Sequence, residues 1–146
     1  MQPYIKMSSL WHDDDMWELR LQVHDGQNSF TTDIYIGHQD KEAWILQLKR
    51  FSTQVHGGLL NLQFGMFGPE YGGGAMQLRF HFLAHKKIHL SVHGQSVFFE
   101  FGKNNVARES KLYLLVEPAQ LDQFIRALED FDPTKHGKIQ LSGNTI

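Results

Sequence analysis

The sequence predicts an α+β domain: a mostly antiparallel sheet of about six to eight strands with two amphipathic helices packed on one face. Short runs of alternating apolar and polar residues recur along the chain. Two segments alone switch to helical spacing, and turn-forming residues separate the runs. With 146 residues the chain has the size of one unit, and residues 1–146 read as a single α+β domain.

Residues Trp17 to His24 alternate strictly, with Trp17, Leu19, Leu21 and Val23 on one side and Glu18, Arg20, Gln22 and His24 on the other. Asp25-Gly26-Gln27-Asn28 is turn chemistry, and Phe30 to Ile36 returns as a second strand with Thr32, Ile34 and Ile36 inward. Tyr4 to Leu10 is an earlier strand, cut off by the acidic turn Asp13-Asp14-Asp15. From Asp40 the period becomes helical: Trp44, Ile45, Leu48 and Phe51 form a stripe, and Gly57-Gly58 is expected to end the element. Strand-like stretches follow at Leu59 to Met66, Met76 to His85, Ile88 to His93, Val97 to Phe101 and Leu112 to Val116. Pro118 opens a helix with the stripe Leu121, Phe124, Ile125, Leu128 and Phe131, and Lys138 to Leu141 adds a short final strand. A shift of 80 residues lays Ile45 on Ile125, Leu48 on Leu128 and Phe51 on Phe131. That match is either the coincidence of two apolar stripes or the trace of a pseudo-twofold fold.

Composition excludes several functions. The formal net charge of -2 lacks the basic excess of a nucleic-acid binder. Absence of cysteine removes disulfides, thiolate metal sites and cysteine nucleophiles. The N-terminus lacks a signal-peptide pattern and no apolar run is long enough to span a bilayer, so the expected location is cytoplasmic with no membrane partner. No serine lies in a nucleophile elbow, and the glycine-rich segment Gly65 to Gly74 lacks the lysine and following helix of a phosphate-binding loop. The chain is therefore read as not an enzyme, with no catalytic residues.

The candidate sites lie on the sheet face away from the helices. By parity it carries Arg20, Tyr35 and Arg79, the residue types that anchor protein interfaces, together with His81 and His93. Tyr71 in the glycine-rich loop is a further partner-binding candidate. A hairpin that sets Phe82 opposite Val92 sets His81 opposite His93 and His85 opposite His89. Four imidazoles on neighbouring strands, with Cβ atoms roughly 4.5–5.5 Å apart, could share a metal. Zinc at His81, His85, His89 and His93 is the one cofactor this pattern suggests. The alternative is a polar, wet sheet face.

The runs W-E-L-R-L-Q-V-H-D-G, F-T-T-D-I-Y-I and L-Y-L-L-V-E-P-A-Q-L-D-Q-F-I-R-A-L resemble a diffuse group of small uncharacterised bacterial proteins, some of which resemble toxin-immunity proteins. That resemblance implies a non-enzymatic protein-binding module whose partner is another protein, a toxin, which it occludes through the polar face or the loop. The alternative readings are a metal- or small-ligand-binding module on the histidine face, or an enzyme with a carboxylate–histidine site there.

Overall fold

The computed structural model describes residues 1–54, 57–70, 72–83, 87–135 and 137–146. The chain runs β1 (Tyr4–His12), β2 (Met16–His24), β3 (Ser29–Gly37), α1 (Asp40–Ser52), β4 (Leu59–Met66), β5 (Gly73–Leu83) and β6 (Lys87–Val97). It continues with a small hairpin β7 (Phe99–Phe101) and β8 (Asn104–Val106), then β9 (Glu109–Val116), α2 (Pro118–Asp130) and β10 (Lys138–Ser142). The fold is α+β, with two helices and antiparallel strand pairings.

The larger strands divide between two four-stranded sheets, ordered β10-β1-β2-β3 and β4-β5-β6-β9. This arrangement is an internal repeat with exchanged strands. Each half of the chain contributes a three-stranded meander, a helix and a final strand. The final strand of each half completes the sheet of the other, β4 beside β5 and β10 beside β1. The residues matched by the 80-residue shift are all buried, and of the two readings of that shift the topology favours the pseudo-twofold.

Local chemistry explains the element ends. Asp13 Oδ1 accepts the N–H groups of Asp15 and Met16, both at 2.8 Å, and so turns the chain from β1 into β2. Asp25 does the same for Gln27 and Asn28 between β2 and β3. Helix α1 stops at Ser52, before Gly57-Gly58. The hydroxyls of Ser52 and Thr53 each donate at 2.8 Å to the carbonyls of Lys49 and Arg50, which satisfies the last turn earlier than the glycines would. At the start of α2, Gln120 Oε1 accepts the Glu117 N–H at 2.9 Å. The polar stretch from Lys103 to Ser110, between two strands read from the sequence, contains β8 and the start of β9, because the chain folds back from β7 onto itself.

The two helices meet the core from the same side. Trp44 of α1 packs edge-on to Phe64 at 4.5 Å, and Phe51 packs against Phe80 and Phe82. Lys41 Nζ donates to the Phe131 carbonyl at 2.6 Å and to the Glu129 carbonyl at 3.3 Å, placing a cation on the C-terminal end of α2. The sheets abut where β3 passes the start of β5: Thr32 Oγ1 donates to the Gln95 carbonyl at 3.1 Å, and the Asp33 carbonyl leaves no room for a Cβ at Gly74. Among the described residues no helix is long and apolar enough to cross a membrane.

Candidate functional site

The solvent face of the β4-β5-β6-β9 sheet follows from parity and register. Residues at alternate positions of β5, β6 and β9 face out, and pairing stacks them into rows across the strands. One row runs Asn61, Arg79, Ser91, Tyr113; the next runs Gln63, Gln77, His93, Lys111; a third sets His81 opposite His89. The small Ser91 lies between the long side chains of Arg79 and Tyr113. The result is a depression of about 260 Å³ whose lining includes Gln77, Arg79, Ser91, His93, Lys111 and Tyr113.

This register corrects the expected one. Phe82 pairs with Ile88 and not Val92, so His81 faces His89, and His93 faces Gln77. The observed register matches three bulky inward pairs, Phe82–Ile88, Phe80–Leu90 and Leu78–Val92. The expected one would have set Leu78 opposite Ser96 and Phe80 opposite Gly94, with the same inward parity but poor packing. His85 and Tyr71 lie outside the described residues. No group of three or more His, Cys, Asp or Glu side chains arranged to hold a metal occurs among the described residues.

His93 is held from two sides. Its Nε2 lies 2.9 Å from Glu109 Oε1, and its ring stacks on Phe67 with centroids 4.8 Å apart and 17° between planes. Gln95, a buried polar residue, ties the same corner together: its Nε2 reaches Glu109 Oε1 at 3.4 Å, and its Oε1 accepts the Gly68 N–H at 2.7 Å. The segment after β4 is thus fastened to β6, with Phe98 against Gly68 and Gly72 where a Cβ would not fit. Of the residues at this corner, Phe67 belongs to the glycine-rich loop that the sequence marks as a partner-contact candidate, whereas Glu109, Gln95 and Lys111 carry no such signal. All four come from β6, β9 and the loop after β4, and only strand pairing makes them neighbours.

The other predicted partner residues lie on the second sheet. Arg20 and Asp33, opposite each other on β2 and β3, form a two-pronged ion pair at 2.9 and 3.1 Å. Tyr35 is opposite Glu18, and that carboxylate pushes the phenol pKa above its usual value. The indole of Trp11 meets the Tyr35 ring edge-on at 6.5 Å. Glu18, Thr31, Asp33 and Tyr35 line one side of a second depression of about 350 Å³, with Gly73, Ser96 and Val97 on the other. The predicted residues therefore fall into two groups, Arg20 and Tyr35 on one sheet, Arg79, His81 and His93 on the other.

The two groups differ in electrostatics. Arg20 is neutralised by Asp33. Arg79 and Lys111 have no ion-pair partner among the described residues, so the hollow around Ser91 presents two cations beside a half-exposed tyrosine. Such an arrangement can receive a carboxylate: a guanidinium offers two parallel donors, and the phenol offers a third. No protein-family model, curated relative or solved structure matches the chain.

Proposed function

We propose that the chain is a non-enzymatic, cytoplasmic protein-binding module that docks an acidic segment of its partner in the hollow around Ser91. The observation that carries this reading is the meeting of Arg79, Lys111 and Tyr113, with no carboxylate paired to either cation among the described residues. Arg and Tyr are the side chains that concentrate binding energy at interfaces, and a cation already committed to a neighbour contributes less. The resemblance to toxin-immunity proteins supports a toxin as the partner. The test is a pull-down from lysate of the source organism with wild-type, R79E and Y113A bait. One stoichiometric partner captured by wild type and lost by both variants, and toxic when expressed without this chain, supports the reading. No stoichiometric partner, or equal capture by R79E, sinks it.

A second reading rests on His81 facing His89 across β5 and β6. Two imidazoles at that spacing can chelate a transition metal, with zinc the first ion to try. Calorimetric zinc binding that disappears in H81A and in H89A supports this reading, and unchanged binding in both variants removes it.

A further inference from the structure

We propose that the protein forms a homodimer by antiparallel pairing of the β4 edge with the same edge of a second copy. This goes beyond the proposed partner binding and does not rest on it. The two four-stranded sheets have four edges, and three are blunted. β3 lies against the start of β5 and is bonded to β6 through Thr32. β9 exchanges two backbone hydrogen bonds at Leu115 with Asn144, at 2.9 and 2.7 Å, and carries Glu109 and Lys111. β10 has only 5 residues and begins with Lys138. Short length, charge and cover are how sheets avoid pairing with other chains.

Among the described residues β4 is neither short nor charged, and it approaches β3 at Gly65, near its end. Its 8 residues, Leu59-Leu60-Asn61-Leu62-Gln63-Phe64-Gly65-Met66, include no charge and no proline. Among the described residues its ladder pairs with β5 alone, which leaves the alternate N–H and C=O groups of the other side for a further strand. Leu60 packs on the core yet is only half-buried at this edge, and Leu59 and Met66 are 49% and 55% exposed.

The occupant is a second copy because β4 is complementary to its own reverse. With a two-fold axis at Leu62, Leu60 faces the partner's Phe64 on the inner side, and Asn61 faces the partner's Gln63 on the outer side. Apolar meets apolar, amide meets amide, and no like charges oppose. The pairing joins two sheets into one of eight strands and completes the burial of Leu60. The axis is perpendicular to the sheet, so the hollows around both copies of Ser91 open in the same direction. The two β5 strands are then three strand spacings apart, about 14 Å.

Sedimentation equilibrium of the full chain from micromolar to hundreds of micromolar tests this. The expected species is a dimer of twice the 16.9 kDa chain mass. In the double variant N61K/Q63K, whose new charges face solvent in the monomer, Lys opposes Lys across the axis. Its dissociation constant should rise about tenfold or more while its circular dichroism stays unchanged. The chain has no cysteine, so oxidising a mixture of N61C and Q63C chains reads the register directly, and a covalent heterodimer is expected. A monomer throughout the range, a dimer unaffected by N61K/Q63K, or no cross-link between N61C and Q63C each overturns the proposal. Should N61K/Q63K not fold, the cross-link decides.

Discussion

Glu109 reaches diagonally from β9 to β6 to bring its Oε1 within 2.9 Å of His93 Nε2, although the residue directly opposite His93 is Lys111. The same oxygen lies 3.4 Å from Gln95 Nε2, and Gln95 in turn holds the Gly68 N–H. One exposed carboxylate and one buried amide therefore decide where Phe67 lies against His93. His93 also lines the hollow around Ser91.

Gln95 should matter more to stability than Glu109. Truncation to Ala leaves the part-buried Gly68 N–H without its partner, at a cost of about 0.5–1.5 kcal/mol. E109A removes a pair that is partly exposed and should cost about 0.2–1 kcal/mol. Urea unfolding of Q95A and E109A measures both, and hydrogen exchange at the Gly68 amide should accelerate most in Q95A.

Arg79 and Arg20 should respond differently to replacement. R79A removes from the proposed docking hollow a cation with no ion-pair partner among the described residues, and partner affinity should fall by about 2 kcal/mol or more, near thirtyfold. R20A removes a cation already neutralised by Asp33, and affinity should change less than about threefold. Titration of the captured partner against both variants gives the comparison. A larger loss in R20A would move the docking face to the other sheet.

Acid should weaken the fold through its turn aspartates. The N–H groups of Asn28 and Gln27 hold the Asp25 carboxyl below the usual range, those of Asp15 and Met16 do so for Asp13, and the Thr134 hydroxyl and N–H do so for Asp132. Unfolding returns each to about 4, so near and below that pH the unfolded chain binds more protons than the folded one. The stabilisation is complete above about pH 4 to 5 and is lost as pH falls through the lower folded values. D25N should be less stable than wild type at neutral pH, with the difference vanishing in acid. Thermal melts across that range check it.

Strand exchange predicts how the chain can be divided. A fragment ending at Met66 lacks β10 for its own sheet, and a fragment starting at Gly73 lacks β4 for the other. Neither should fold alone, because each would leave a meander without its fourth strand and a helix stripe half covered. Mixed together they should regain the native circular dichroism spectrum. A fragment that folds cooperatively alone would contradict this.

Several elements could be read directly from residues. The β2 and β3 hairpin, both helical stripes and the turn aspartates are local patterns, written in alternation, in period and in side-chain hydrogen bonds within three residues. The candidate residues Arg79, His81 and His93 share one sheet face, as parity requires. The pairing of His81 with His89 was not legible, because shifting one strand by four residues keeps every side chain on its own face. Packing of Phe80 on Leu90 and Phe82 on Ile88 selects between registers that parity treats alike. Glu109 and Lys111 were passed over for the same reason: their importance comes from the neighbours β6 supplies.

The sequence by itself determined that this chain would be an antiparallel α+β domain with two covering helices. Its hydrophobic periods fix which side of each strand and helix must be buried, and burial is the dominant favourable contribution to folding. Only the tertiary structure decided that β4 and β10 are exchanged between the halves, that Arg20 is neutralised while Arg79 has no ion-pair partner among the described residues, and that β4 is left as an uncharged edge. Those outcomes depend on which strands become neighbours and in what register. That choice is made by packing between residues far apart in the chain, and no local pattern encodes it.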